Sequence, residues 1–148
     1  MNKDYFNQQL NLAYAAGLFD GEGSVGYKKY KEKKKNGTYD CWRISLEMAM
    51  TDESTINIFH QIVGVGTVRK KPRDKTGHKM QYRWRCTFRD AYKVAVSLFP
   101  FAHTKAEKLS EVIQHYTEQK PTPENVVNLQ YYKMWIAKKE INAKFEDD

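Results

Sequence analysis

Two apolar periodicities divide this chain of 148 residues. From residue 6 to residue 19 apolar side chains occur on nearly every side of a helical wheel (Phe6, Leu10, Leu12, Tyr14, Leu18, Phe19). That predicts a buried helix from about Phe6 to Phe19. Gly21 and Gly23 are helix-stop residues. Ala13, Ala16, Gly17 and Asp20 fall at i, i+3, i+4 and i+7 and share a face with almost no side chain, flat enough for another backbone to come close. The period then changes to two. Ser24 to Tyr30 alternates as a strand. Arg43 to Thr51 alternates strictly, with Ile44, Leu46, Met48 and Met50 facing one way and Arg43, Ser45, Glu47 and Ala49 the other. Thr67 to Lys71 is a short strand with Thr67, Arg69 and Lys71 on one side. Gln81 to Phe88 points Tyr82, Trp84, Cys86 and Phe88 inward and Gln81, Arg83, Arg85 and Thr87 outward. Two polar stretches, Lys31 to Asp40 with its Asn36-Gly37 and Pro72 to His78, join these strands in pairs.

Helical patterns fill the intervals. Asp52 to Val63 turns Ile56, Phe59 and Val63 inward and breaks at Gly64 and Gly66. Arg89 to Phe99 is stopped by Pro100. Thr104 and Glu107 form a capping box for a helix to about Glu118. Pro121 and Pro123 punctuate, and a last helix is expected from about Glu124 to Phe145. The order is αββαββα with additional C-terminal helices. Two hairpins with one apolar face imply an α+β domain whose antiparallel sheet packs on helices. One domain over 1–148 is expected, with a core at about 6–118 and a helical extension at about 121–148.

Charge sharpens this picture. The net charge is +7, which favours a polyanionic partner. Residues 28–43 hold seven Lys/Arg and two acids, and residues 69–90 hold nine and two. The two hairpins therefore carry all the excess, and the remainder of the chain is acidic. A solvated surface is the ordinary reading of charge runs. Here the opposite face of the same strands is the core face, so Arg43, Arg69, Lys71, Arg83 and Arg85 share one sheet surface with Ser45, Glu47, Gln81 and Thr87. Such a mixture can address base edges as well as phosphates. Cys41 and Cys86 make neither a metal spacing nor a disulfide framework, and Cys86 reads as a buried thiol. His60, His78, His103 and His115 show no metal spacing. Trp42, Trp84 and Trp135 read as core or interface. No signal peptide and no long apolar run is present, so a soluble chain away from membranes and in a reducing compartment is expected.

The first helix ends in an anomaly. A helix C-terminus carries partial negative charge, yet Asp20 and Glu22 lie there beside unpaired carbonyls. Carboxylate and carbonyl oxygens are the ligands of a hard cation such as Mg2+; solvated turn residues are the plainer account. The segment Ala15 to Gly23, AAGLFDGEG, followed by Ser24 and Val25, resembles the signature nonapeptide of the LAGLIDADG homing endonucleases. The resemblance extends over about residues 10–116. It implies a saddle-shaped sheet whose open face lies on DNA, contacted here by Ser24, Lys28, Tyr30, Arg43, Ser45, Glu47, Thr67, Arg69, Lys71, Gln81, Arg83 and Arg85.

The same resemblance assigns roles. Glu22 matches the motif's metal-binding second acid, usually Asp, and Gly21 would add its carbonyl. Asp20 matches the structural first acid. Asp52 stands where the family often has a polar active-site residue, and it is equally suited to cap the helix that follows. Lys105 stands where the family often has a catalytic lysine; a cation in a first helical turn is poor helix design but good phosphate chemistry. One motif copy supplies one active site, so two copies would pair through Ala13, Ala16, Gly17 and Asp20. The implied activity is a homodimeric, Mg2+- or Mn2+-dependent site-specific DNA endonuclease. It would leave short 3′ overhangs at a long, nearly palindromic target and need no small-molecule cofactor. Its setting would be bacterial, phage-host or archaeal cytoplasm, or an organelle. Two alternatives stay open: an RNA maturase or non-cleaving DNA binder on the same fold, and a generic basic RNA-binding domain.

Overall fold

The computed structural model describes residues 3–71, 79–117 and 144. The expected charged turn at 72–78, Trp135 and the C-terminal helix lie outside the described residues. Helix α1 (Lys3–Glu22) leads into strands β1 (Gly23–Lys34) and β2 (Gly37–Met50), then helix α2 (Glu53–Val63). Strands β3 (Thr67–Lys71) and β4 (Gln81–Thr87) follow, then helix α3 (Phe88–Leu98), a short 3-10 turn at Phe99–Phe101, and helix α4 (Ala106–Thr117). This is the expected αββαββα order with a further helix. The four strands form one antiparallel sheet in the order β1-β2-β4-β3.

All the described helices stand on one face of that sheet, because the apolar members of each alternating strand point that way. Ile44, Leu46 and Met48 of β2 and Trp84 and Cys86 of β4 are buried with Phe19 of α1, Ile56 and Phe59 of α2, and Val94, Leu98, Leu109 and Val112 of α3 and α4. Trp84 is the centre. Its ring meets Phe59 edge-on at 4.8 Å, and Phe59 stacks at 6.4 Å on Phe19. Aromatic pairs of this kind add about 0.5–1.5 kcal/mol each beyond the area they bury. The indole Nε1 donates to the Val65 carbonyl at 2.9 Å, so the buried donor is satisfied. That contact needs Gly66, which has φ +95° and lies so close to the Trp84 ring that a Cβ would collide with it.

Several boundaries differ from the sequence reading. Helix α1 runs through Gly21 to Glu22 rather than stopping near Phe19, so both acids sit in its last turn. The chain leaves the helix at Gly23, where a Cβ would strike the Phe19 ring. The first hairpin is longer than expected. Its ladder continues from Gly23↔Met48 to Lys34↔Gly37 and leaves Lys35–Asn36 as the turn. Lysines hid this, because strand beyond the helices has two solvated faces and loses its apolar alternation. The hairpin base is anchored on α4 by His115, whose Nδ1 is hydrogen-bonded to the Tyr27 hydroxyl at 3.1 Å and whose ring meets Trp42 edge-on at 5.1 Å.

Phe88 was expected inward on the second hairpin. It is instead 52% exposed and begins α3, with φ +52°. Left-handed backbone is strained for an aromatic residue, and it turns the chain out of the sheet before a further inward position can form. Helix α4 begins at Ala106, and the amides ahead of it are held by a residue from α1.

Candidate nucleic-acid interface and active-site edge

The face of the sheet away from the helices collects the polar positions. Register decides this, because residues directly opposite in a ladder share a face. Ser24 lies opposite Glu47, Glu47 opposite Arg85, and Arg85 opposite Thr67, a row across all four strands. Lys28 pairs with Arg43, Arg69 with Arg83, and Lys71 with Gln81; Ser45 lies between Gly26 and Thr87. Tyr30 is opposite Cys41, which puts it diagonal to Arg43, and the guanidinium sits 5.0 Å from the Tyr30 ring centre. All twelve residues singled out for DNA contact therefore occupy one surface. Toward the β3 edge Thr67, Arg69, Arg83, Arg85, Thr87 and Asp90 line an open groove of about 360 Å³.

Glu47 is the feature of this face that spacing alone did not reveal. Its two carboxylate oxygens face different arginines: Arg83 Nη1 is 3.6 Å from Oε1, and Arg85 Nε is 3.9 Å from Oε2.

The acids lie at the end of α1, where β1 begins. Asp20 is half-buried. It accepts hydrogen bonds from the backbone N–H groups of His103 at 2.8 Å and Lys105 at 3.0 Å, in the turn that opens α4. The positive compensation that a carboxylate at a helix C-terminus calls for is thus the N-terminal amides of a second helix. The bond also carries the Lys105 backbone to the end of α1. Glu22 is exposed, two residues on, and has no side-chain hydrogen bond or ion pair among the described residues. Asp52 acts as a cap: its Oδ1 accepts from the Thr55 amide at 3.3 Å at the start of α2. The ladder sets Gly23 against Met48, so Glu22 and the end of β2 leading to Asp52 lie at one margin of the sheet.

Among the described residues no cluster of three or more His, Cys, Asp or Glu could hold a metal ion. One chain supplies the Glu22 carboxylate and the carbonyls at the end of α1, including Gly21. These are hard-cation donors in kind, and fewer than the roughly six that Mg2+ takes. Phosphate oxygens, water or a second copy must complete such a site.

The small-residue face divides. Ala16 is fully buried in its own chain, so it is core and not a surface for another molecule. Ala13 and Gly17 are exposed, and a Cβ at Gly17 or Gly21 would meet nothing. The open stripe is displaced by one position and flanked by Leu10 and Tyr14, which are 53% and 50% exposed. Of the thiols, Cys86 is buried and pushed up to about 12 by that burial. No helix among the described residues is long and apolar enough to cross a membrane.

A helix-backed, one-sided antiparallel sheet with acids at one margin is an α+β platform. The chain matches the model of the LAGLIDADG endonuclease family over residues 15–116, and it belongs to that family. A comparison with curated proteins finds no match. Among solved structures, the homing endonuclease I-CvuI in complex with its target is similar at TM-score 0.60 and 22% identity, over 74% of this chain and 67% of that one. The homing endonuclease I-TnaI is similar at TM-score 0.54 and 18% identity, over 88% and 97%. The archaeal intron-encoded homing endonuclease I-Vdi141I, solved with DNA, is similar at TM-score 0.54 and 14% identity, over 70% and 64%. These likenesses support the fold.

Proposed function

We propose that this protein is a site-specific DNA endonuclease that works as a homodimer. The observation that carries the reading is the single polar face. Twelve donor- and acceptor-bearing side chains stand in register on it, and Glu22 and Lys105 are drawn to the same end of α1 at its margin. The two-stranded ribbons suit the major groove, where base edges are distinguishable. Lys28, Arg43, Arg69 and Lys71 neutralise phosphates and set the register on the duplex.

Asp20 holds the turn that carries Lys105, whose ammonium stabilises charge on the phosphate under attack. Glu22 and the Gly21 carbonyl would hold a divalent cation, Mg2+ or Mn2+. Such an ion would supply Lewis-acid activation of water and charge stabilisation at the departing oxygen. Asp52 is engaged as the cap of α2 beside this margin. Two chains joining through Leu10, Ala13, Tyr14, Gly17 and Gly21 would bring two Glu22 carboxylates together and give a cut on each strand of a nearly palindromic duplex. Short 3′ overhangs are the family's expected outcome.

The test begins with duplexes enriched by the protein from a random pool and cloned into supercoiled plasmid. Incubation with Mg2+ should linearise the plasmid, and incubation without it should leave specific binding alone. Specific binding with no cleavage under either condition would make the chain a non-cleaving binder. Preference for RNA over duplex DNA would favour the maturase reading.

A further inference from the structure

The Glu47 carboxylate sits in the middle of a surface whose other charges are mostly positive. Its pairs with Arg83 and Arg85, at 3.6 and 3.9 Å, are partly solvated, with side-chain exposures of 36% and 50% for the arginines and 34% for Glu47. Surface pairs of this kind contribute little to stability, so folding does not account for the placement. For the affinity of a polyanion it is adverse, because it cancels positive charge where the duplex would lie. What it does supply is aim. A lone surface arginine samples many rotamers and reaches any nearby phosphate. The Arg85 contact is made through Nε, at 3.9 Å, which leaves the two terminal Nη groups uncommitted to Glu47 and available to pair with guanine O6 and N7. Arg83 is drawn through Nη1 towards the other carboxylate oxygen, at 3.6 Å, and its directly opposed residue in β2, Ala49, offers no polar group. The carboxylate also repels phosphate and acceptor-rich base edges, which disfavours wrong sequences.

We infer that Glu47 is a positioning residue that aims Arg83 and Arg85 at guanines in the major groove, trading overall DNA affinity for discrimination. This rests on the proposed DNA-binding function and adds the base read and the device that reads it.

The experiment selects bound sequences from a random duplex pool with wild type, Glu47→Gln, Glu47→Asp, Arg83→Ala and Arg85→Ala. It also measures binding of an unselected random duplex as a function of salt. Wild type should enrich guanines that the two arginine variants erase, which marks the positions they read. Glu47→Gln removes the charge. It should reduce guanine preference at those positions about tenfold. It should also bind the random duplex several-fold more tightly, with a salt slope steeper by about 1 per protomer. Glu47→Asp keeps the charge but cannot span both arginines, so guanine preference should fall without the gain in random-duplex affinity that Glu47→Gln brings. This second variant decides the matter should Glu47→Gln fail to fold by circular dichroism.

Unchanged guanine preference in the Glu47 variants would overturn the inference. So would loss of a cytosine preference with the guanines retained, since Glu47 would then contact a base itself. Duplex binding without any enrichment by wild type would overturn it while leaving DNA binding intact; absence of duplex binding would overturn the proposed function as well.

Discussion

Asp20 and Glu22 are two residues apart on one helical turn, and their removal should have different consequences for stability. Asp20 accepts from two backbone amides, at 2.8 and 3.0 Å. Hydrogen bonds to a charged acceptor contribute about 1.5–3 kcal/mol each. One of the two is solvent-exposed, so about 2–4 kcal/mol is the more reasonable total for Asp20→Ala. At about 2–4 °C per kcal/mol for a chain of this size, the melting temperature should fall by about 5–15 °C. Asp20→Asn keeps one acceptor oxygen and turns an NH2 group towards an amide, so it should lose roughly half as much. The turn carrying Lys105 is freed in Asp20→Ala and loosened in Asp20→Asn, so cleavage should fall with stability. Glu22→Gln behaves otherwise. The carboxylate faces the negative end of α1 without a described partner, and removing its charge should leave the melting temperature unchanged or slightly raised. Cleavage should disappear while specific binding stays within a few-fold. Circular dichroism melts of the three variants, with plasmid cleavage alongside, provide the comparison. An Asp20→Asn protein melting within about 1 °C of wild type would refute the assignment of Asp20 as the tie between α1 and α4. A Glu22→Gln protein that loses binding together with cleavage would make Glu22 a folding residue.

Gly17→Leu should give a folded monomer, since a side chain at Gly17 meets nothing within its own chain while overpacking a helix contact costs about 1–3 kcal/mol per site. Sedimentation and circular dichroism check this, and a wild type that is monomeric and still makes double-strand breaks would refute the dimer. Arg85→Ala should relax base preference at one position in each half-site by about 1–3 kcal/mol, read by competition binding; a uniform loss across sequences would make it a phosphate contact. The Cys86 thiol, pushed by burial from 9.0 to about 12, should resist thiol reagents at pH 8 until the protein unfolds. Because the neutral thiol is favoured in the folded state, its contribution is fully present below pH 9 and is lost as pH climbs towards 12. Denaturant midpoints that hold constant across that range would contradict it.

Strand identity and facing were legible because β2 and β4 alternate without interruption and their apolar members converge on the core. The full length of the first hairpin was not, since Lys31, Lys33 and Lys34 carry no apolar rhythm. Phe88 misled because period two continues through it in sequence while a positive φ ends the strand in space. The face of α1 was displaced by one position at Ala16, since a helix apolar on every side gives no phase by which to orient it. The sequence offered Asp52 both as a cap and as an active-site residue, and the structure shows the capping bond. The partners of Asp20 were not, as they lie 83 and 85 residues away. Glu47 looked like one polar position among several, and only the register of β2 against β4 brings it between two arginines.

Strand β4 carries the largest core side chain, Trp84, between Arg83 and Arg85, which lie on the face away from the helices. Neighbouring positions in the chain therefore answer to separate demands. The inward set is held by close packing, where a change of one methylene is felt. The outward set is half-solvated, where most substitutions are tolerated thermodynamically. Outward residues can therefore be exchanged while the inward ones stand still. The pleat uncouples what the open face presents from whether the chain folds.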